Sequence, residues 1–187
     1  LMGMCNLAVS LWNVSVFRSS NSELIKLQRP SQALSLAMGI AFIFGPTLQN
    51  KIEGRLYRDP VIFSEHTKYQ RLVMTKWRGD LRLFINGNLQ FCSVDEYRYH
   101  EALVHPALAM VPQAESVLIL GGGEGLAARE VLKHKNIKSI TLVDIDPRMV
   151  ALAKTHPSIR KLNENSLADP RVKVFHVDAY KYVETTD

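Results

Sequence analysis

The sequence predicts an α/β chain that ends in a parallel sheet flanked by helices. Three stretches carry that prediction. Val117–Leu120 is a short apolar run of the kind a buried parallel strand needs; Gly121, Gly122, Gly123 and Gly125 follow at once, and Leu126–His134 reads as a helix. A second apolar strand, Ser139–Val143, ends in Asp144, about twenty residues after the turn. A third, Val172–Val177, ends in Asp178. Strand, glycine turn and helix, with acids at successive strand ends, describe a Rossmann-like fold that cradles a nucleoside.

The glycine spacing narrows the ligand. Glycine lets the backbone turn tightly and approach a ligand closely. A dinucleotide fingerprint places its third glycine one residue after Gly125, where Leu126 stands. Gly121-x-Gly123-x-Gly125 suits an S-adenosylmethionine-type nucleoside better. Asp144 is placed to accept both ribose hydroxyls. Asp178 is placed to receive an adenine amino group, or else it caps the helix Ala179–Val183.

Composition excludes several classes. The 187 residues carry a net charge of +5, with lysine and arginine interleaved with acids through Arg55–Arg82. That is a solvated surface and not a nucleic-acid face. Cys5 and Cys92 are the only cysteines, so neither a disulfide framework nor a metal site is expected. The chain opens on Leu and reads as a piece of a longer one.

Taken in order, Leu1–Phe17 is uncharged and mostly apolar, Arg18–Arg29 is a polar connector, and Pro30–Asn50 is again free of charge. Roughly 20 apolar residues cross a bilayer, so residues 1–57 are read as the end of a membrane domain with two hydrophobic helices. The alternatives are a buried helix of a soluble protein, or a helix broken at Gly45-Pro46. Lys51, Arg55 and Arg58 at the exit put the following part in the cytoplasm, although the polar connector on the other side also carries three basic residues. A multi-pass protein of the cell membrane is therefore expected.

Residues 58–94 then read as a small antiparallel sheet. Arg71–Trp77 and Leu81–Ile85 alternate with period two about a turn at Arg78-Gly79, and Asn86-Gly87-Asn88 turns the chain into Leu89–Cys92. Residues 95–187 form the nucleoside-binding domain, cut short at its C-terminal end. Asp95 caps a helix from Glu96 to Met110 that puts Tyr99, Leu103 and Leu108 on one side, with Pro106 as a potential kink. A helix over Arg148–Lys154 and a polar loop over His156–Arg171 lead to the third strand.

These blocks resemble the spermidine synthase family, the aminopropyltransferases. Tyr69-Gln70, DLRLFINGNLQFC from Asp80, DEYRYHEALVHP from Asp95, LILGGGEGLAAREVLKH, VDID and HVDAY stand in that family's order and spacing from Arg58 to Asp187. The uncharged N-terminal part looks like the subset whose synthase domain follows a membrane domain. The resemblance implies decarboxylated S-adenosylmethionine as cosubstrate, a putrescine-like amine as acceptor, no bound cofactor or metal, and a homo-oligomer.

Carried over by position, Gln70 and His100 contact the nucleoside and polyamine ends, and Tyr99 lines the amine pocket. Gly121 and Gly123 let the backbone approach the thioether. Asp144 holds the ribose, and Asp178 and Ala179 the adenine side. Glu124 stands where the family usually has Asp, facing the aminopropyl ammonium. The family's general-base Asp is expected past Asp187, so this piece alone is expected to be inactive. His100 has a second reading as a hydrogen-bonded helix histidine; His105, His134, His156 and His176 are read as structural.

Two other functions fit parts of the pattern. A methyltransferase shares the fold, but usually carries an acid where Ile119 stands, and Glu124 would repel a carboxylate tail. A polyamine- or nucleoside-binding domain without turnover is the other.

Overall fold

The computed structural model describes residues 36–41, 43–44 and 57–186. The chain separates into two units, Leu1–Arg58 and Asp59–Asp187. The first holds the predicted membrane helices, most of which lie outside the described residues. Residues 36–41 and 43–44 are helical, with Leu36, Met38, Ile40, Ile43 and Phe44 exposed. No helix among the described residues is long and apolar enough to cross a membrane.

The second unit opens on a four-stranded antiparallel sheet of sequential neighbours: β1 (Val61–His66), β2 (Arg71–Trp77), β3 (Asp80–Ile85) and β4 (Asn88–Cys92). The period-two reading locates β2, β3 and β4 within a residue. It misses β1, whose partner residues are set by pairing with β2 and not by a pattern of its own. Both tight turns use left-handed pairs, Arg78-Gly79 (φ 48° and 91°) and Asn86-Gly87 (φ 51° and 82°). Paired positive φ is the geometry that matches the twist of a two-residue hairpin.

The parallel sheet has the order β5 (Ser116–Leu120), β6 (Ser139–Val143) and β7 (Val172–Phe175). Its helices are α1 (Glu96–Met110), α2 (Leu126–Leu132), α3 (Pro147–Thr155), α4 (Pro157–Leu162) and α5 (Ala179–Thr185). β7 ends two residues earlier than its apolar run suggests. The stretch read as a polar loop from His156 contains α4 and a single turn of 3-10 helix at Ser166–Ala168. His156 caps α4 by accepting from Ser158 N–H, with Pro157 at the first helical position.

One cluster joins Leu72, Met74, Leu83 and Phe91 of the antiparallel sheet to Leu126, Leu142, Met149 and Leu152 of the α/β layer. The sheet of β1–β4 therefore sits on the same core as the α/β layer that carries the glycine turn. A buried acid reinforces the joint. Asp146 caps α3 through Arg148 N–H (3.0 Å) and accepts from Thr67 Oγ1 (2.8 Å) and Gln70 Nε2 (2.9 Å).

Helix α1 departs from the expected face. It runs unbroken through Pro106 and buries Glu96, His100 and Val104. Tyr99 and Leu103 are exposed instead. Spacing of four puts the buried three on one stripe. Two of them are ionisable, so an apolar count points to the wrong side.

Candidate active site

The glycine turn and Asp144 build each other. Gly121 N–H donates to Val143 O (2.7 Å), which ties the turn to the end of β6. Gly121, Gly122 and Gly125 take φ of 82°, 73° and 83°. Gly123 does not, but a Cβ there would stand 2.6 Å from Asp144 Oδ2. The space is needed because Gly123 N–H donates to that oxygen at 2.8 Å, while Asp146 N–H donates to Oδ1 at 2.8 Å. The carboxylate is thus aimed before any ligand arrives.

Burial pushes the Asp144 carboxyl above the usual range; the two backbone N–H groups oppose this, and the nearby Glu124 and Asp146 charges add to it. Only the ionised form accepts from two hydroxyls at once. Affinity for a nucleoside should therefore be full above this raised pKa and fall as pH drops through it. Asp144→Ala in the full-length protein is expected to weaken methylthioadenosine by about 2–3 kcal/mol, read by calorimetry. An unchanged affinity would leave Asp144 only its role in the turn.

Glu124 follows the turn, its carbonyl held by Asn163 Nδ2 at 2.8 Å. Its carboxylate enters a cleft of about 210 Å³ lined by Gln90, Tyr99, His100, Ile119, Gly122 and Glu124 among others. His100 Nε2 lies 3.7 Å from Glu124 Oε1. His100 is 4% exposed, and its Nδ1 stands 2.8 Å from both the carbonyl and Oε2 of Glu96. Burial works against the imidazolium, but Glu124 and Glu96 outweigh it and raise the ring's pKa.

The structure gathers Tyr99, His100, Gly121, Gly123, Glu124 and Asp144 around the turn and the cleft. Gln70 is half-buried and donates through Nε2 to Asp146 Oδ2 (2.9 Å). Asp178 stands past the end of β7, beside β6, where Asp144 N–H donates to Phe175 O (3.0 Å). It accepts from Tyr180 N–H (2.9 Å) and Lys181 N–H (3.2 Å), so the cap is formed; Ala179 is the first residue of the helix it caps.

Sequence reasoning passed over Asp146, Glu96 and Arg129. Asp146-Pro147 before a helix was a readable cap signal. The pairing of Glu96 with Arg129 joins residues 33 apart, and no local pattern announces it. Among the described residues no His, Cys, Asp and Glu cluster could hold a metal ion.

Comparisons with known proteins point to one family. The family model of the spermine/spermidine synthase domain matches residues 96–187. A polyamine aminopropyltransferase of Leptospira interrogans is 44% identical over 187 residues, which is 100% of this chain and 38% of the relative. One of Oceanobacillus iheyensis is 42% identical over 186 residues, 100% of this chain and 36% of that protein. The chain thus spans well under half the length of these curated relatives.

Two solved structures also match. A spermidine synthase crystallised with the transition state analogue AdoDATO superposes with a TM-score of 0.64 at 28% identity, over 68% of this chain and 44% of that one. The spermidine synthase of Thermotoga maritima gives 0.62 at 29% identity, over 66% and 42%. With its α/β part matched by the family model and its whole length aligned to aminopropyltransferases, this chain is similar to the spermine/spermidine synthase family.

Proposed function

We propose that the full-length protein is a polyamine aminopropyltransferase. It moves the aminopropyl group of decarboxylated S-adenosylmethionine to putrescine or a similar amine, giving spermidine and methylthioadenosine. The acceptor nitrogen forms a bond to the carbon next to the sulfonium. The carbon–sulfur bond breaks, sulfur keeps the electron pair as a thioether, and the amine proton leaves to a base.

No metal or oxyanion hole is required for such a displacement. What the protein supplies is alignment, worth several kcal/mol of barrier, and a base that keeps the acceptor neutral. On this reading Asp144 holds the ribose, Asp178 and Ala179 the adenine side, and Gly121 and Gly123 the close approach at sulfur. Tyr99, His100 and Gln70 meet the amine and nucleoside ends. The general base is an Asp expected beyond Asp187.

The observation that carries the reading is Glu124. Its carboxylate enters a cleft whose lining brings no lysine or arginine. Such a place attracts an aminopropyl ammonium and repels the carboxylate that S-adenosylmethionine retains. Turnover by the full-length protein with each cosubstrate tests this directly. Glu124→Gln is expected to weaken the decarboxylated cosubstrate at least about tenfold and to spare S-adenosylmethionine. Equal loss for both would mean that Glu124 does not read the tail.

The same proposal places residues 1–57 in a membrane domain, residues 58–94 in a small sheet domain and residues 95–187 in the nucleoside domain. The synthase part would face the cytoplasm of a multi-pass, homo-oligomeric protein. Hydropathy supports the membrane segment, and these residues fall within the alignment to the Leptospira enzyme, which covers 100% of the chain. Alkaline carbonate washing of expressing cells should leave the protein in the membrane pellet. Release into the wash would make the segment a soluble core helix.

A further inference from the structure

His100 stands in the cleft wall with its two nitrogens in different company. Nδ1 meets two oxygens of Glu96, the carbonyl and Oε2, each at 2.8 Å. Both can only accept from it, so Nδ1 carries a hydrogen. Nε2 is left toward Glu124. Glu96 is itself clamped from behind. Arg129 Nη1 donates to Oε1 (2.8 Å) and Nη2 to Oε2 (3.0 Å), a fork-to-fork pair. Arg129 is fixed in turn by Leu162 O (2.7 Å) and by Glu130 Oε1 through Nε (2.8 Å). Glu96, His100, Arg129 and Glu130 are all buried.

We propose that Glu96, held by Arg129, is a positioning residue that fixes the His100 ring with Nδ1 protonated. Nε2 thereby becomes an acceptor beside Glu124, and the cleft offers two acceptors to one primary ammonium or amine. The opposite tautomer would point an N–H at Glu124 and occupy the carboxylate that the ligand needs. The proposal rests on the aminopropyl-transfer reading for the nature of the ligand.

It also makes ligand binding proton-coupled. Around His100 stand Glu96 and the edge-on Tyr99 ring (5.1 Å) from its own helix, Glu124 from the glycine turn, and Arg129 of α2 behind Glu96; a neighbouring cleft that His100 also borders brings Arg82 of β3, Asp95 and Arg98. From β4, Gln90 and Phe91 line the cleft and bring no charge. Below the ring's titration a second proton at Nε2 pairs with Glu124. An arriving ammonium must displace that proton. Affinity for an ammonium-bearing ligand therefore falls as pH drops through the ring's titration, and binding in that pH range releases protons.

Two measurements on the full-length protein decide the matter. Nitrogen-15 NMR of histidine-labelled wild type, above the ring's titration, should find the His100 hydrogen on Nδ1. Calorimetry in buffers of different ionisation enthalpy should find proton release with decarboxylated S-adenosylmethionine, and less with methylthioadenosine, which lacks the ammonium. Glu96→Gln should weaken the first ligand about tenfold, leave the second unchanged, and move the acid limb of the affinity profile to lower pH.

A wild-type ring with its hydrogen on Nε2 overturns the proposal, and that result needs no variant to fold. So does Glu96→Gln if it weakens both ligands alike with the acid limb unmoved. Wild type that binds S-adenosylmethionine but not the decarboxylated form overturns the transfer reading instead.

Discussion

Gly123→Ala is expected to weaken nucleoside binding by about a hundredfold, near 3 kcal/mol, with a much smaller loss of fold stability. Gly123 has no positive φ, so alanine is allowed at its backbone. The obstacle is local: the new Cβ would stand 2.6 Å from Asp144 Oδ2, 2.9 Å from Asp144 Cγ and 3.2 Å from Met149 Cγ. The carboxylate must swing away, which breaks its bond to Gly123 N–H and takes it from the place that the proposed ribose contact needs.

Gly121→Ala is the control. Nothing lies within 4 Å of a Cβ there, but φ is +82°, so the cost is backbone strain of about 1–2 kcal/mol and not displacement of the acid. Calorimetry with methylthioadenosine and thermal unfolding of both variants separate the two effects. If Gly123→Ala binds like wild type, the carboxylate gives way freely and the close approach has no bearing on the ligand.

Arg129→Met should produce the largest loss of stability. It leaves Glu96 and Glu130 buried without their shared cation. Removing one member of a buried ion network typically costs about 3–5 kcal/mol, which corresponds to a fall in unfolding midpoint of roughly 10–20 °C for a domain of this size. By contrast the solvent-screened surface pairs Lys138–Glu115 and Arg148–Glu65 should add little to stability.

The pH dependence has a defined sign. Burial pushes the Glu130 carboxyl up, but hydrogen bonds from Lys133 and Arg129, with their charges, outweigh it and hold its pKa below the usual range. A depressed folded pKa means stability that is complete above the ordinary carboxylate range. It is lost as pH falls through the folded value. Arg129→Met removes much of that depression and should flatten the acid limb of the stability curve. The triple variant Glu96→Gln, Arg129→Met, Glu130→Gln should recover much of the midpoint, since uncompensated charge and not lost volume is the main defect. If the triple variant is no more stable than Arg129→Met, the network matters through shape instead.

What the sequence by itself determined lies along the chain. The apolar runs at Val117 and Ser139, the glycines between Leu120 and Leu126, and the Asn86-Gly87 turn each encode their structure within a few residues, because strand burial, tight turning and left-handed φ are local demands. Asp144 was legible for the same reason, as an acid at a fixed distance from a glycine turn.

Only the tertiary structure decided how those parts are held. Asp146 receives Thr67 and Gln70 from residues 79 and 76 positions away, a tie between the β1–β2 turn and the start of α3 that no local pattern announces. Helix α1 hides an acid and a histidine and exposes Tyr99 and Leu103, against its apolar count. The reason is that a charge can be buried once a partner cancels it. Arg129, 33 residues further on, is that partner, and pairing across such a distance leaves no periodic trace in the residues between.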